Sequence, residues 1–138
     1  MSLKACERTP KWVVELAGRV QKMMGCEDWE IDIHTLPIID NDESLNGQCH
    51  PRPFYLRATV KLLERHMEKE TWDSRDTVIH EMLHPVFEPL MRCATRLCDM
   101  HPPRMALELR DFSVAELERS ITLLSRALQA HLYPPEEP

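Results

Sequence analysis

One pentapeptide in the chain has residue types and spacing that can hold a metal ion, His80-Glu81-Met82-Leu83-His84. On a helix, side chains four residues apart lie on the same face, so His80 and His84 can direct both imidazoles at one ion. Glu81 is rotated by about 100° from His80 and lies beside the ion, where it can accept a proton from a water. This combination is typical of a catalytic Zn²⁺ site in a hydrolase.

A catalytic zinc ion takes three protein ligands and a water, so one more ligand must come from elsewhere in the chain. The last predicted helix carries a regular apolar stripe, formed by Leu117, Ile121, Leu124 and Leu128. Glu118 lies roughly 80° from the centre of this stripe, and Glu116 about 120° from it. Glu118 is therefore the predicted third ligand. His101, in the preceding loop, is the alternative, and Glu116 is the less favourable carboxylate because it can form a capping box with Ser113.

The helix that carries the pentapeptide is predicted to begin at Asp73, which can cap it together with Asp76 three residues on. Pro85 follows His84 directly, and a proline at this position removes the backbone hydrogen bond to Glu81. The sequence therefore predicts a kink, or the end of the helix, just past His84.

Apolar periodicity predicts an α+β fold for the rest of the chain: an N-terminal helix, a short antiparallel or mixed sheet, the metal-binding helix and a C-terminal helix. The first helix is predicted to start at Thr9-Pro10, with Thr9 as its cap, and to end at Gly25. Alternating residues predict two strands, 29–35 and 54–62, and residues 37–53 between them are predicted to be loop. The C-terminal helix is predicted over 114–132, with Ser113 as its cap.

The composition limits the classes of protein to which the chain can belong. Its 138 residues predict one domain, 1–133, followed by a disordered tail, 134–138. A net charge of −6 argues against a nucleic-acid partner, and no apolar run is long enough for a membrane span. The five cysteines predict free thiols in a reducing cytoplasm, and the N-terminus has no secretory signal.

Four stretches of the sequence together resemble a known class of enzymes. They are Trp29-Glu30-Ile31, Tyr55-Leu56-Arg57-Ala58, the run from Asp76 to His84, and Glu118 ahead of Ile121. With these, the chain resembles the gluzincin type of zinc metallopeptidase. It looks most like the small single-domain zincin-like HExxH proteins of phages and prophages, which are similar to ImmA/IrrE-type peptidases. The resemblance implies that His80, His84 and Glu118 bind Zn²⁺ and that Glu81 is the general base.

Three functional hypotheses follow from the sequence. The first is a zinc metallopeptidase whose protein or peptide substrate pairs with strand 54–62 at the sheet edge, with Tyr55, His101 or Tyr133 as the oxyanion donor. The second is a catalytically silent protein-binding module stabilised by the metal. The third is a metal-free helical adaptor. The pentapeptide followed by a loop histidine also resembles the SprT type of peptidase, which implies His101 as the third ligand. The sequence predicts neither the identity of the substrate nor an oligomeric state.

Overall fold

Four helices and a four-stranded sheet make up the fold, as described by a computed structural model for residues 3–52 and 55–135. The elements in chain order are β1 (Leu3–Ala5), α1 (Lys11–Met23), β2 (Glu30–Leu36), β3 (Gly47–Arg52), β4 (Arg57–Leu63), α2 (Glu64–Met67), α3 (Trp72–Asp99) and α4 (Pro103–Leu132). The predicted α+β class, with a mixed sheet between an N-terminal and a C-terminal helix, is confirmed. Phe54, in the second predicted strand, and residues 136–138 of the predicted tail lie outside the described residues.

The sheet has the strand order β1-β2-β4-β3. Strands β1, β2 and β4 are parallel, and β3 runs antiparallel to β4. The parallel pair β1 and β2 is joined through α1, as a parallel pair must be joined by a crossover. The second predicted strand was expected to lie at the sheet edge. That expectation was wrong, because β4 pairs with β2 on one side and β3 on the other.

The strand at the β4 side of the sheet, β3, is an edge strand and lies in the segment predicted to be loop. Its sequence, GQCHPR, has glycine and proline and no apolar alternation, so its own residues do not indicate a strand. It forms because the backbone groups of β4 on this side need partners, and the register Cys49↔Val60 supplies them. The strand is thus a product of tertiary pairing.

The hydrophobic core lies between one face of the sheet and helices α1 and α3. Alternate residues of the two central strands point into it, as the predicted alternation requires. The buried residues are Val13, Leu16, Ala17 and Val20 from α1, Ile31 and Ile33 from β2, Ala58, Val60 and Leu62 from β4, and Val78, Ile79, Met82 and Leu83 from α3. This packing fixes the rotation of α3 about its axis, because Met82 and Leu83 of the pentapeptide pack in the core.

Helix α1 ends as predicted but does not begin as predicted. Gly25, just past the last turn, has φ +67°, a left-handed conformation that glycine adopts without steric cost. At the other end, the residue preceding the helix is Pro10, and no side chain caps it. The Thr9 hydroxyl instead hydrogen-bonds to the Thr35 hydroxyl at 2.9 Å and so joins the chain before α1 to β2.

Helix α3 does not end after His84, so the predicted helix end is wrong, whereas the alternative, a kink at Pro85, stays a prediction. It continues as one helix of 28 residues with Pro85 and Pro89 inside it. Its N-terminal cap is also different from the prediction, because Thr71 and Ser74 form the capping box and Asp73 lies in the first turn. The side chain of Pro85 is buried, so packing compensates for the backbone hydrogen bond that its ring cannot donate.

Helix α4 is longer than predicted, because it begins at Pro103. Ser113 therefore lies inside the helix, where its hydroxyl donates to the Leu109 carbonyl oxygen, and it caps nothing. The predicted stripe does face inward: Leu117 and Ile121 are buried, and Leu124 and Leu128 pack on the core. Among the described residues, no helix is both long and apolar enough to cross a membrane.

Candidate metal centre

Three side chains from two helices meet at one point beside β3. The Nε2 atom of His80 lies 3.1 Å from Oε2 of Glu118, and the Nε2 atom of His84 lies 3.3 Å from Oε1 of the same carboxylate. His80 and His84 come from successive turns of α3, and Glu118 comes from α4. The structure therefore brings together the three residues that the sequence predicted as metal ligands.

The spacing of these atoms suits a zinc ion. Zinc bonds to imidazole nitrogen and carboxylate oxygen are about 2.0–2.1 Å long, so donors at two corners of a tetrahedron lie about 3.3–3.4 Å apart. The Nε2 atoms of His80 and His84 lie 3.1 and 3.3 Å from Glu118, close to this edge length, but each faces a different oxygen of the carboxylate. Two imidazoles and one carboxylate are also a donor set that zinc uses in catalytic sites. The residues present therefore fit the ion.

Glu81 lies against the same group but is more deeply buried. One side-chain atom from each of His80, Glu81 and His84 lies within 4.8 Å of the other two, and Oε2 of Glu81 is 3.7 Å from Nε2 of His84. Burial, and secondarily the Glu118 carboxylate, raises the pKa of Glu81 to about 8. A carboxyl group with a pKa in this range can both accept and release a proton near neutral pH.

The protonation of His84 is governed by the same surroundings. Burial lowers the pKa of its imidazole and is the largest influence, although the Glu118 carboxylate acts in the opposite direction. The rings of His80 and His84 lie edge to face with centroids 5.3 Å apart. A neutral imidazole is the form that binds a metal ion, so burial favours the binding form at His84.

Contacts between α3 and α4 on one side of the cluster, toward the start of α3, fix their relative position. The Ser125 hydroxyl on α4 donates to Oδ1 of Asp76 on α3 at 2.7 Å. Nearer the start of α3, the Gln129 side-chain amide donates to the Trp72 carbonyl oxygen at 3.0 Å. Ser125 and Gln129 are both fully buried. Because these bonds set the register of the two helices, they place Glu118 level with the two histidines.

A cleft of about 350 Å³ opens over the cluster, and β3 forms its other wall. Gly47, Gln48 and Cys49 line it opposite the four clustered side chains. Burial, and then the carboxylate of Glu81, raises the pKa of the Cys49 thiol, which keeps it neutral beside the cluster. Gly47 packs so closely on α3 that a Cβ atom there would lie 3.0 Å from Cγ of Glu81.

The alternative third ligands lie elsewhere. His101 follows α3, whose last residue is fifteen positions beyond His84, a distance of about 22 Å at 1.5 Å per residue. It lines a separate surface cavity with Asp99 and Arg110. Glu116 is exposed on α4, two residues and therefore about 200° away from Glu118. Neither is placed to complete the histidine pair.

The tyrosines proposed as oxyanion donors do not line the cleft. Tyr55 is exposed in the turn before β4. The ring of Tyr133 stacks on the guanidinium group of Arg75 at 4.0 Å, and Arg19 lies on it at 5.7 Å. What sequence reasoning missed is the wall formed by β3. Its one sequence signal was Gly47, which lies in the segment 37–53 that was predicted to be loop.

Comparison of the chain with protein-family models, with curated proteins and with solved structures gave no match. The case for a function therefore depends on the geometry of the site.

Proposed function

We propose that this chain is a zinc-dependent metallopeptidase with a small zincin-like domain. The observation that carries the proposal is the meeting of His80, His84 and Glu118, whose histidine nitrogens lie 3.1 and 3.3 Å from the two carboxylate oxygens, with the buried carboxyl group of Glu81 beside them. A pair of histidines one helical turn apart, a carboxylate from a second helix and a neighbouring base together make up a hydrolytic site. Similarity to the small HExxH proteins of phages and prophages remains part of this proposal.

Each residue has a defined task in this reaction. A bound Zn²⁺ would supply Lewis acidity, which polarises a carbonyl oxygen and lowers the pKa of a water molecule. His80 and His84 would hold the ion through Nε2, and Glu118 would hold it through a carboxylate oxygen. Glu81 would accept a proton on Oε2 and pass it to the departing amine, as a general acid–base catalyst does.

The substrate would lie along β3, the open edge of the sheet beside the cleft. The Leu63 amide donates to the Asn46 carbonyl oxygen, and in an antiparallel ladder the mutually bonded residues recur at every second position. The backbone groups of Gly47 and Cys49 therefore face outward, away from β4. An extended peptide can add to such an edge through main-chain hydrogen bonds.

The ladder that a substrate could form with β3 is limited by Pro51, the next residue after Cys49 whose backbone faces away from β4. Proline has no backbone N–H, so Pro51 can accept a hydrogen bond from a substrate but cannot donate one. Within β3, only Gly47 and Cys49 offer a substrate both an outward-facing backbone N–H donor and a C=O acceptor. We infer that a substrate is held by few backbone bonds and that its side chains contribute much of its affinity.

A protein-binding module in which the metal serves only stability is the second candidate. The observation that favours it is that the predicted ligands join α3 to α4, so an ion would link the two longest helices. Metal binding to such a site contributes directly to folding free energy. This candidate predicts that zinc raises the melting temperature and that no peptide is cleaved.

The Glu81→Gln variant separates the two candidates. We expect the purified variant to keep its zinc, measured by atomic emission, because Glu81 is not a predicted ligand. Cleavage of a mixed peptide library, followed by mass spectrometry, should fall by roughly 10²–10⁴-fold, the usual contribution of a general base. The matched control is Glu116→Gln, which makes the same change at an exposed position of α4.

Two results would contradict the proposal. Loss of zinc from Glu81→Gln would make Glu81 a ligand and leave the site without a base. Equal cleavage by the wild type and the variant would show that the activity comes from elsewhere. A zinc-loaded wild type that cleaves no peptide would favour the binding module.

A further inference from the structure

The end of α3 and the start of α4 form a helical hairpin that carries many exposed apolar side chains. Within residues 88–116, which we call the hairpin tip, Cys98 and Ala106 are buried between the two helices, but neither belongs to the core cluster that packs on the sheet. Large exposed apolar side chains are instead concentrated there: Leu90, Leu97, Met100, Met105, Leu107, Leu109, Phe112 and Val114. Single exposed apolar residues are ordinary, but a contiguous apolar patch larger than a few hundred Å² marks an interaction site.

Five of these side chains, with the exposed thiol of Cys93, form two stripes. Leu90, Cys93 and Leu97 recur at helical spacing on α3, and Met105, Leu109 and Phe112 do so on α4. Each stripe lies about 100° around its helix from the residues that are buried between the helices, Cys98 on α3 and Ala106 on α4. Both stripes are therefore on flanks of the hairpin rather than in its seam.

The two stripes lie on the same side of the hairpin. Viewed along each helix from its N-terminus, each stripe is displaced in the same rotational sense from the inter-helix contact. Because the two helices are antiparallel, equal rotations in the same sense, each about its own helix axis, lead to the same side of the hairpin. Leu107 and Val114 are displaced in the opposite sense and lie on the other side. The six residues of the two stripes are called the apolar face below.

The apolar face is large enough for a stable protein interface. The exposed fractions of its large side chains are 56% for Leu90, 63% for Leu97, 50% for Met105, 36% for Leu109 and 65% for Phe112. The five fractions add up to the surface of about 2.7 fully exposed side chains. At about 150–200 Å² for each, the exposed apolar area is roughly 400–540 Å². Interfaces are about 57% apolar, so the whole contact would cover roughly 700–950 Å² per partner, where a standard interface needs about 800 Å².

The charges of the hairpin tip suit a second copy of the same chain. The tip has five acidic and four basic residues, so it is nearly neutral, whereas the whole chain has a net charge of −6. Glu116 lies within the stripe on α4, and Arg96 borders the stripe on α3. A two-fold arrangement that sets α3 of one copy against α4 of the other brings these opposite charges together.

We propose that the apolar face is a homodimer interface, in which two hairpin tips pack into a four-helix bundle. Burial of the face on a second copy removes the exposed leucines and Phe112 from water and leaves the charged flanks at the rim. The proposal does not depend on the metal centre, because the apolar face and the cleft use different residues of α3 and α4.

Sedimentation velocity of the 138-residue chain, from low micromolar to several hundred micromolar, tests the proposal. We expect a monomer–dimer equilibrium in the wild type. Leu97→Glu and Phe112→Glu should each weaken dimerisation by at least roughly 100-fold, because both copies would bury an unpaired charge. Leu107→Glu is the matched control: it is 60% exposed on α4, but it lies on the opposite side of the hairpin and should leave the dimer intact.

The Cys93 thiol gives a second measurement that needs no substitution. It is exposed in a single chain but would be covered in the dimer, so its alkylation rate should fall as protein concentration rises. A chain that stays monomeric at every concentration would overturn the proposal, whatever else the hairpin tip then binds. A dimer that Leu107→Glu disrupts, but Leu97→Glu and Phe112→Glu do not, would overturn it equally.

Discussion

Substitution of Gly47 by alanine should disturb the proposed base without touching any predicted metal ligand. A Cβ atom at this position would lie 2.7 Å from Cγ2 of Thr77, 3.0 Å from Cγ of Glu81 and 3.3 Å from its Oε1. Gly25 is the one glycine with a positive φ among the described residues, so Gly47 does not need glycine for its backbone conformation. Its role is close approach: it lets β3 pack directly on α3.

The neighbours of Gly47 are held in place and cannot easily move away. The Thr77 hydroxyl donates to the Asp73 carbonyl oxygen at 3.0 Å and lies 2.9 Å from Nε2 of His66. Glu81 is 7% exposed and is enclosed between α3 and β3. The added methyl group must therefore push the edge strand outward, displace Glu81, or do both.

The size of the effect follows from these contacts. Adding one methyl group to a well-packed position costs about 1–3 kcal/mol of folding stability. If Glu81 moves by about 1 Å, catalysis by the proposed peptidase should fall by up to roughly 100-fold, because a general base acts only within hydrogen-bond reach. The zinc content should be unchanged.

Thr77→Ser provides the rescue, because serine lacks Cγ2 but keeps the hydroxyl group that bonds to Asp73 and His66. The Gly47→Ala/Thr77→Ser double variant should recover about half of the lost stability, measured by urea denaturation of the zinc-loaded protein. The matched control is Gly18→Ala in α1, where the nearest outside atom is 3.9 Å from the new Cβ. There the added methyl group would make only an ordinary van der Waals contact, and alanine has a higher helix propensity than glycine.

The reasoning would be refuted if Gly47→Ala were as stable as the wild type. It would also fail if Thr77→Ser lowered stability by the same amount in the presence and absence of the alanine, since the two residues would then not be coupled. Because both measurements concern folding, neither depends on whether the chain cleaves peptides.

The remaining predictions concern the metal ligands, the buried carboxyl group and the helix cap. Glu118→Ala should lower zinc affinity by at least roughly 100-fold in competition with a fluorescent chelator, whereas Glu116→Ala should not change it. The folded state raises the pKa of Glu81 to about 8, so between about pH 4.5 and 8 this group of the metal-free protein is more protonated when folded than when unfolded, and its contribution to stability should fall as the pH rises through this window. Glu81→Gln should flatten that slope in chelator-treated samples. Thr71→Ala should destabilise the protein by about 1 kcal/mol in urea denaturation through loss of the α3 cap, whereas Asp73→Ala should have a smaller effect.

Local periodicity was sufficient to predict the clustering of His80, Glu81 and His84. Helical spacing alone puts the two imidazoles on one face, and this holds wherever the helix packs. Glu118 was predicted with less information, from its angle to an apolar stripe, and the structure places its carboxylate within 3.3 Å of both histidines. The first clustering depends on the geometry of a single helix, whereas the position of Glu118 also depends on the packing of α4 on α3. That these side chains bind a metal ion stays a prediction.

The prediction for the end of α3 failed because it considered one residue in isolation. Pro85 does remove one backbone hydrogen bond, but a buried helix gains much of its stability from tertiary contacts. Packing on the core and the bonds to α4 at Asp76 and Trp72 hold this helix before the proline. The same lesson applies to β3, whose sequence lacks strand character and whose partner strand determines its structure.

The position of β3 at the sheet edge also has a consequence for motion. All the predicted ligands and Glu81 belong to α3 and α4, whereas the facing wall of the cleft is a six-residue strand paired on one side only. Edge segments open at much lower free energy than core elements. The amide protons of Gly47 and Cys49, which face away from β4, should exchange with solvent deuterium far faster than those of Val60 or Met82. The cleft can therefore widen by local fraying of β3 while the histidine–glutamate cluster keeps its geometry.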